Sequence, residues 1–220
     1  MNWQPSRCLE DPQEYDQKYS SEGRYLPDCI RGDLDSIRSS VKDYYVSKGV
    51  SVQQDGNEYT TDFMKCVELV RSHDPVPAPS TSQSSSTQSG QEQRQSENLG
   101  VVALGGTGGR FDQSMSLVHH LYILNRERHA TLVSDESIVV VLGAGKHEIT
   151  CNLDIEGPTC GIIPVGSSEA ILTTTGLKWD IEKWKTSFGT QLSTSNALVA
   201  SKVTIETNAP VVWTTELKHK

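Results

Sequence analysis

The sequence lacks an excess of positive charge, and it is also short of hydrophobic residues. Lysine and arginine number 20 against 28 aspartates and glutamates, which gives a formal net charge of −8 at pH 7. A protein that binds nucleic acid through bulk charge needs a basic excess to neutralise phosphates, so the composition argues against that class. Only 35% of the 220 residues are hydrophobic. This shortage predicts that part of the chain is disordered.

No apolar run is long enough to span a membrane. The longest aliphatic run is Ile138–Leu142, whereas a transmembrane helix needs about 20 apolar residues. Residues 1–22 are polar and acidic and have no apolar signal-peptide core, so we expect a disordered leader rather than a secretory signal. The cysteines number five, and no pair has Cys-x-x-Cys spacing. Such usage indicates reduced, inert thiols and a cytoplasmic location.

Apolar periodicity divides the remaining chain into two predicted domains. Residues 23–142 alternate helical patterns with nearly continuous apolar strands, which predicts an α/β layer with a mainly parallel sheet. Within it, the Ser/Gln-rich residues 74–98 are too polar to offset their ordering entropy, so we expect a disordered insertion there. Residues 143–220 carry short β-branched runs separated by glycines, which predicts an antiparallel β-sandwich.

Local signals place several element boundaries in the α/β region. Asp35 or Ser36 is the predicted N-cap of the first helix, and Gly49 is its predicted C-terminal glycine. Thr61 is the predicted cap of the second helix. Leu99–Leu104 is predicted to be a buried strand.

Two aspartates, Asp33 and Asp35, stand just before the first predicted helix. In an extended segment, side chains two apart point the same way, so both carboxylates could face one point. Like charges placed together repel unless a cation lies between them, and hard oxygen ligands suit Mg²⁺. A lone Asp-x-Asp pair more often has the simpler reading, in which Asp35 caps the helix and Asp33 makes a turn. A further alternative, an aspartyl-phosphate phosphatase motif, would follow a more apolar strand than Asp28–Arg31.

A third carboxylate, Asp62, opens the second predicted helix. An aspartate in a first turn is stabilised by the helix dipole without any function. Asp62 is therefore informative only if the fold brings it beside Asp33 and Asp35.

A glycine-rich turn, Gly105–Gly109, lies between a predicted strand and a predicted helix and is followed by Arg110. Glycines let backbone N–H groups approach an anion, a helix N-terminus favours negative charge, and an arginine fork suits phosphate oxygens. No Gly-Lys-Ser/Thr follows, and Gly-x-Gly-x-x-Gly does not match, so a P-loop and a dinucleotide site are both excluded. A flexible turn with a solvated arginine is the alternative.

Ser/Thr-rich residues 173–179 and 190–196 form a late polar constellation. Short hydroxyls, an amide and the face of Trp179 could hold a small heteroaromatic ligand. Taken alone, these residues favour an ordinary β-domain whose tryptophans, Trp179, Trp184 and Trp213, lie in the core.

Taken in order, these segments resemble thiamin pyrophosphokinase (thiamin diphosphokinase) in a fungal-like form. The resemblance covers most of the chain from Arg24 to Trp213, apart from the Ser/Gln-rich insertion. It is carried by RYLPDCIRGDLDSIR, TDFMKC, VVALGGTGGRFDQSMS, GKHEITC, CGIIPVG, TTTGLKWDI, FGTQLSTSN and VTIETNAPVVWT. GDLDSI, GGRFDQ, TTTGLKW and STSN are specific to the family in combination.

The resemblance implies an α/β catalytic domain, a β-sandwich thiamin-binding domain, and a homodimer with active sites at the subunit interface. It also implies transfer of pyrophosphate from ATP to the hydroxyethyl group of thiamin, releasing AMP, with Mg²⁺ as cofactor. The implied catalytic residues are Asp33, Asp35, Asp62 and Arg110, and the three aspartates would hold Mg²⁺. The implied ATP-side residues are Gly105, Gly106, Arg110, Asp112 and Gln113. The implied thiamin-side residues are Trp179, Ser195 and Asn196.

The sequence departs from the family pattern at two places. An Asp-Gly-Gly…Asn motif usually precedes Gly-Asp-x-Asp-Ser, and residues 1–23 contain nothing like it. We therefore expect an N-terminally shortened chain that lacks one strand of its sheet. This leaves a catalytically impaired thiamin-binding or dimerisation remnant as the alternative function. Tyr59 also stands where many members have a further aspartate.

Overall fold

The structure, a computed structural model, describes residues 26–74 and 98–218. These residues form two compact units that divide after Asp74, here called the first unit and the second unit. The predicted leader at 1–22 lies outside the described residues, as does nearly all of the predicted insertion at 74–98. None of the described helices is long and apolar enough to cross a membrane.

The first unit alternates strands and helices, as the sequence predicts. Its elements are β1 (Cys29–Gly32), α1 (Ser39–Ser47), β2 (Ser51–Gln54) and α2 (Asp62–Arg71). Strands β1 and β2 are parallel, and Val41 of α1 and Val67 of α2 are buried. Parallel pairing places α1 as the crossover between the two strands.

Helix α1 begins later than predicted, so the prediction of Asp35 or Ser36 as its N-cap is wrong. The N-cap position is Arg38, whose side chain makes no capping hydrogen bond. The chain is still turning at residue 35, because the Asp35 amide is bonded to the Asp33 carboxylate. The other two boundary predictions are confirmed. Gly49 follows the helix with φ of 81°, and Thr61 caps α2 by accepting from the Met64 amide at 3.3 Å.

Residues 98–218, the described part of the second unit, form one helix and two sheets. Its first elements are β3 (Val101–Leu104), α3 (Phe111–Leu124), β4 (Ala130–Val133) and β5 (Ser137–Leu142). The rest are β6 (Gly145–Thr150), β7 (Glu156–Ile163), β8 (Ala170–Thr175), β9 (Trp184–Thr186), β10 (Ser193–Ala197), β11 (Lys202–Thr207) and β12 (Val211–Leu217). The six-stranded sheet has the order β10-β7-β12-β5-β4-β3, and the four-stranded sheet has the order β6-β11-β8-β9.

The two sheets share one hydrophobic core, as in a β-sandwich. Ile162 and Trp213 of the larger sheet and Leu172 and Ile205 of the smaller one belong to a single buried cluster. Every pairing is antiparallel except that of β3 with β4. The predicted fold class, an α/β layer followed by an antiparallel β-sandwich, is confirmed.

The six-stranded sheet takes strands from both sides of the domain boundary predicted at 142/143. Strand β5 pairs with β4 on one side and with β12 on the other, so the sheet continues across that boundary. The boundary between the two domains therefore stays a prediction. The strand predicted at Leu99–Leu104 is confirmed for Val101–Leu104, but the prediction that it is buried is wrong. Strand β3 is the last strand in the sheet order, and Val102 and Leu104 are 64% and 81% exposed.

The described cysteines Cys29, Cys66, Cys151 and Cys160 are all free. Burial raises the pKa of Cys151 to about 11 and that of Cys160 to about 12. Since the thiolate is the reactive form, these two thiols are inert at neutral pH.

Two glycines in the second unit make a matched test of backbone packing. Gly176 and Gly189 have φ of 92° and 87°, but a Cβ on Gly176 would lie 2.5 Å from the Lys202 carbonyl oxygen, whereas Gly189 has nothing within 4 Å. We expect Gly189→Ala to cost about 1–2 kcal/mol from left-handed strain. Gly176→Ala should cost a further 1–3 kcal/mol, roughly, because β11 must move. Urea unfolding of both variants measures the difference, and equal losses would contradict this packing.

Candidate functional site

The carboxylate of Asp62 packs against the turn that follows strand β1. Its Oδ1 accepts a hydrogen bond from the Asp33 amide at 3.1 Å. A Cβ on Gly32 would lie 2.9 Å from Cγ of Asp62 and 3.0 Å from both of its oxygens. Only glycine therefore allows Asp62 to reach this turn. The fold thus brings Asp62 beside Asp33, which meets one half of the condition that made Asp62 informative.

Lys65 holds the same carboxylate from one helical turn further along α2. Its ammonium lies 3.1 Å from Asp62 Oδ1, with its side chain 2% exposed against 52% for that of Asp62. A buried ammonium is costly unless an anion compensates it, so Lys65 and Asp62 depend on each other. The sequence analysis missed Lys65. Its i,i+3 spacing from Asp62 is the signal that could have found it.

Asp33 and Asp35 are linked by a hydrogen bond between the side chain of the first and the backbone of the second. Asp33 Oδ1 accepts from the Asp35 amide at 3.1 Å. That hydrogen bond is the main cause that lowers the pKa of the Asp33 carboxyl, and the charge of Lys65 is a lesser one. Leu34 between them has φ of 62°. The segment is therefore a turn, and the extended geometry from which we predicted parallel side chains is wrong.

The three aspartates are linked by hydrogen bonds, but they do not form a closed metal cage. Within residues 26–74 and 98–218, no group of three or more His, Cys, Asp or Glu side chains is placed to hold a metal ion. The arrangement instead offers acidic oxygen donors on a turn that Asp62 and Lys65 hold in place.

The glycine turn of the second unit connects β3 to α3 and packs against the helix. The Gly105 amide donates to the Val133 carbonyl at 2.8 Å. Gly106 has φ of 83°, and a Cβ there would lie 2.2 Å from Cδ2 of Leu117. The Gly108 amide donates to the Ser114 hydroxyl at 3.2 Å. These contacts fix the backbone of the turn at the start of the helix.

Arg110 stands at the N-cap position of α3 and is paired with Asp112. Its Nε and Nη2 donate to the two carboxylate oxygens of Asp112 at 3.1 and 2.5 Å. The pairing raises the pKa of Arg110 and lowers that of Asp112. Both side chains and the neighbouring Gln113 are exposed. An oriented guanidinium beside a helix N-terminus is an arrangement that can bind phosphate oxygens.

Trp179 presents its ring to solvent from the loop between β8 and β9. Its side chain is 55% exposed, whereas Trp213 is 3% exposed. The core interpretation of the tryptophans is therefore correct for Trp213 and wrong for Trp179. The Lys178 ammonium lies 4.6 Å from the Trp179 ring centroid. A ring held in this way can receive a cationic or heteroaromatic group.

Ser195 and Asn196 occupy opposite sides of strand β10. The pairing of β10 with β7 is irregular between Ser193 and Asn196, and Ser195 has φ of 57°. Ser195 is exposed and lines a cavity of about 430 Å³ on the six-stranded sheet together with Thr194. Asn196 is buried, and its amide bonds to the backbone of Trp179. The side chain of Ser195 therefore faces the cavity, whereas that of Asn196 faces the backbone of Trp179.

Two family models match the chain in order. The model described as the thiamin pyrophosphokinase catalytic domain covers residues 7–133. The model described as the thiamin pyrophosphokinase vitamin B1 binding domain covers residues 146–212. Together they take in both described units.

Curated relatives match over most of the chain. Thiamine pyrophosphokinase 2 of rice is 36% identical over 202 residues, which is 91% of this chain and 69% of that protein. Thiamine pyrophosphokinase of Saccharomyces cerevisiae is 28% identical over 88% of this chain and 70% of its own length. Among solved structures, yeast thiamin pyrophosphokinase aligns with a TM-score of 0.76 and 25% identity over 96% of this chain and 74% of that one. Thiamin pyrophosphokinase from Candida albicans aligns with a TM-score of 0.75 and 25% identity over 93% of this chain and 77% of that one.

Gly32 and Gly56 make a matched test of the Asp62 contact, since a Cβ on Gly56 would have nothing within 4 Å. We expect Gly32→Ala to push the Asp62 carboxylate off the Asp33 amide. Loss of that hydrogen bond should speed hydrogen exchange of the Asp33 amide by about tenfold, equivalent to roughly 1.4 kcal/mol. Gly56→Ala should leave the exchange rate unchanged. Unaltered exchange in a folded Gly32→Ala variant would show that Asp62 does not hold the turn.

Proposed function

This chain belongs to the thiamin pyrophosphokinase family, and we propose that it transfers pyrophosphate from ATP to the hydroxyethyl oxygen of thiamin, giving thiamin diphosphate and AMP. The observation that carries the proposal is the ordered match of a catalytic and a vitamin B1 binding domain model over residues 7–133 and 146–212. Family membership supports formation of thiamin diphosphate. The choice of ATP as donor, the metal and the residue roles are our proposals, which rest on the family resemblance together with the side chains described above.

The first unit offers donors that fit a divalent cation. Asp62 already accepts from one cation, the Lys65 ammonium, at 3.1 Å, and Gly32 leaves the space that the Asp62 carboxylate fills. Mg²⁺ commonly binds through one or two carboxylates, substrate phosphates and water, so a preformed cage is not required. We assign Asp33, Asp35 and Asp62 to hold it. Bound Mg²⁺ would offset the negative charge of the phosphates as it redistributes during transfer.

The glycine turn and Arg110 are assigned to the phosphates of ATP. Gly105 and Gly106 provide a backbone without side chains in the turn between β3 and α3, and the Arg110 guanidinium matches the geometry of phosphate oxygens. Asp112 orients that guanidinium through two hydrogen bonds, and Gln113 is exposed beside it. Asp112 and Gln113 are therefore assigned to the border of the ATP site.

Trp179 and Ser195 are assigned to thiamin. Trp179 is exposed, and the uncovered face of its ring suits the thiazolium cation or the aminopyrimidine of thiamin. The exposed hydroxyl of Ser195 can donate or accept a hydrogen bond.

We also propose a homodimer with active sites at the subunit interface, acting in the cytoplasm. Support for the location comes from the free cysteines Cys29, Cys66, Cys151 and Cys160, since disulfides are rare in reducing compartments. Sedimentation of the purified chain tests the dimer.

The activity is tested by measuring AMP release from ATP and Mg²⁺ with and without thiamin. We expect release that depends on thiamin, and a rate about a hundredfold lower in Asp33→Asn because one of the carboxylates assigned to hold Mg²⁺ on the reacting phosphates is lost. Asp43→Asn, an exposed position on α1, is the matched control and should keep the wild-type rate. Folded wild-type protein that binds thiamin but releases no AMP would contradict the proposal and favour the thiamin-binding alternative.

A further inference from the structure

Asn196 is a buried polar residue whose side chain is committed to one neighbouring loop. It is 6% exposed. Its Oδ1 accepts from the Trp179 amide at 3.2 Å, and its Nδ2 donates to the Trp179 carbonyl at 3.0 Å. Oδ1 also accepts from the Ala197 amide at 2.8 Å. A primary amide has two donors and one two-fold acceptor, so the acceptor is fully used and one donor is used.

The two bonds to Trp179 hold its backbone N–H and its backbone C=O at the same time, an arrangement that we call the clamp. Because one side chain binds both the N–H and the C=O of Trp179, rotation of either peptide plane breaks a bond. A buried amide that loses a partner carries a desolvation cost, which opposes that rotation. The clamp therefore fixes the φ and ψ of Trp179 and, through them, the direction of its Cα–Cβ bond.

The rest of the loop is anchored separately. Asp180 accepts from the amides of Gly176 and Leu177 at 3.1 and 3.2 Å, and the Lys178 amide donates to the Ala197 carbonyl at 2.8 Å. These bonds hold the residues on either side of Trp179 but not its own backbone groups. Loss of Asn196 would therefore loosen Trp179 within a loop that otherwise stays in place.

The irregularity in β10 leaves two consecutive residues, Thr194 and Ser195, exposed, whereas a regular strand would alternate exposed and buried positions. Ser195 adopts a left-handed conformation with φ of 57°, and Ser193 and Asn196 pair with Ile162 and Cys160 of β7 across a shift in register. A bulge re-aims side chains in this way. Ser195 is left exposed at the cavity, and Asn196 is turned into the protein toward Trp179.

We propose that Asn196 is a positioning residue that does not touch the ligand and instead holds the Trp179 ring in the orientation that receives thiamin. The identity of the ligand rests on the proposed function, whereas the clamp itself rests on the hydrogen bonds of Asn196. This role differs from the one that the family resemblance implies for Asn196, which is direct contact with thiamin.

The test compares Asn196→Ala with Thr207→Val in the full chain. Thr207 is also buried, at 4% exposed, and its hydroxyl bonds to the Ala209 carbonyl at a distance in sequence from the Trp179 loop. The Trp179 indole N–H resonance is assigned with Trp179→Phe. Thiamin KM and kcat and the thermal midpoint are measured for each variant.

We expect Asn196→Ala to shift and broaden the Trp179 indole resonance, to leave that of Trp213 unchanged, and to raise the thiamin KM about tenfold with kcat within roughly threefold of wild type. Thr207→Val should lower the thermal midpoint while leaving the Trp179 resonance and KM unchanged. A folded Asn196→Ala variant with a wild-type Trp179 resonance overturns the inference. So does a KM that rises equally in both variants.

Asn196→Asp covers the case in which Asn196→Ala does not fold. It keeps an acceptor for the two amides but replaces the N–H that donates to the Trp179 carbonyl with an oxygen that, when ionised, repels that carbonyl, so we expect the same resonance to shift. An unchanged resonance overturns the clamp. If wild-type protein does not use thiamin, the proposed function fails, and the resonance comparison still decides whether Asn196 positions Trp179.

Discussion

The carboxylate of Asp62 holds the turn of the first unit that carries Asp33 and Asp35. It accepts from the Asp33 amide and from the Lys65 ammonium through the same oxygen. Lys65 is buried, so its charge requires Asp62, and Asp62 can reach the turn only because residue 32 has no side chain. Two segments separated by 29 residues are thereby joined at one point. Whatever chemistry the aspartates perform depends on this contact.

The second unit repeats this arrangement with different groups. In each case an exposed side chain suited to a ligand is held by a second residue. Arg110 is oriented by Asp112 through two hydrogen bonds, and Trp179 is held through its backbone by buried Asn196. Holding the group in advance reduces the entropy lost on binding. These four hydrogen bonds restrict the motion of Arg110 and Trp179, two exposed residues that are suited to bind a ligand.

The elements that local signals define could be predicted from the sequence. Thr61 as a helix cap and Gly49 as a helix end both follow from interactions within a few residues. The failures involve contacts that local patterns do not contain. The hydrogen bond from the Asp35 amide to Asp33 replaced the expected cap and the expected extended segment. The roles of Lys65 and Asn196 depend on which element packs behind them, and composition and periodicity do not reveal this.

Binding of Mn²⁺, as a spectroscopic substitute for Mg²⁺, tests most directly whether the aspartates act as one unit. Electron paramagnetic resonance titration of the full chain with Asp33→Asn, Asp62→Asn and the double variant gives a double-mutant cycle. If both carboxylates serve one cation through the turn that Asp62 holds, each single change should weaken Mn²⁺ binding about tenfold or more, and the double variant should lose little beyond that. Independent, additive losses, or wild-type affinity in either single variant, would contradict this account.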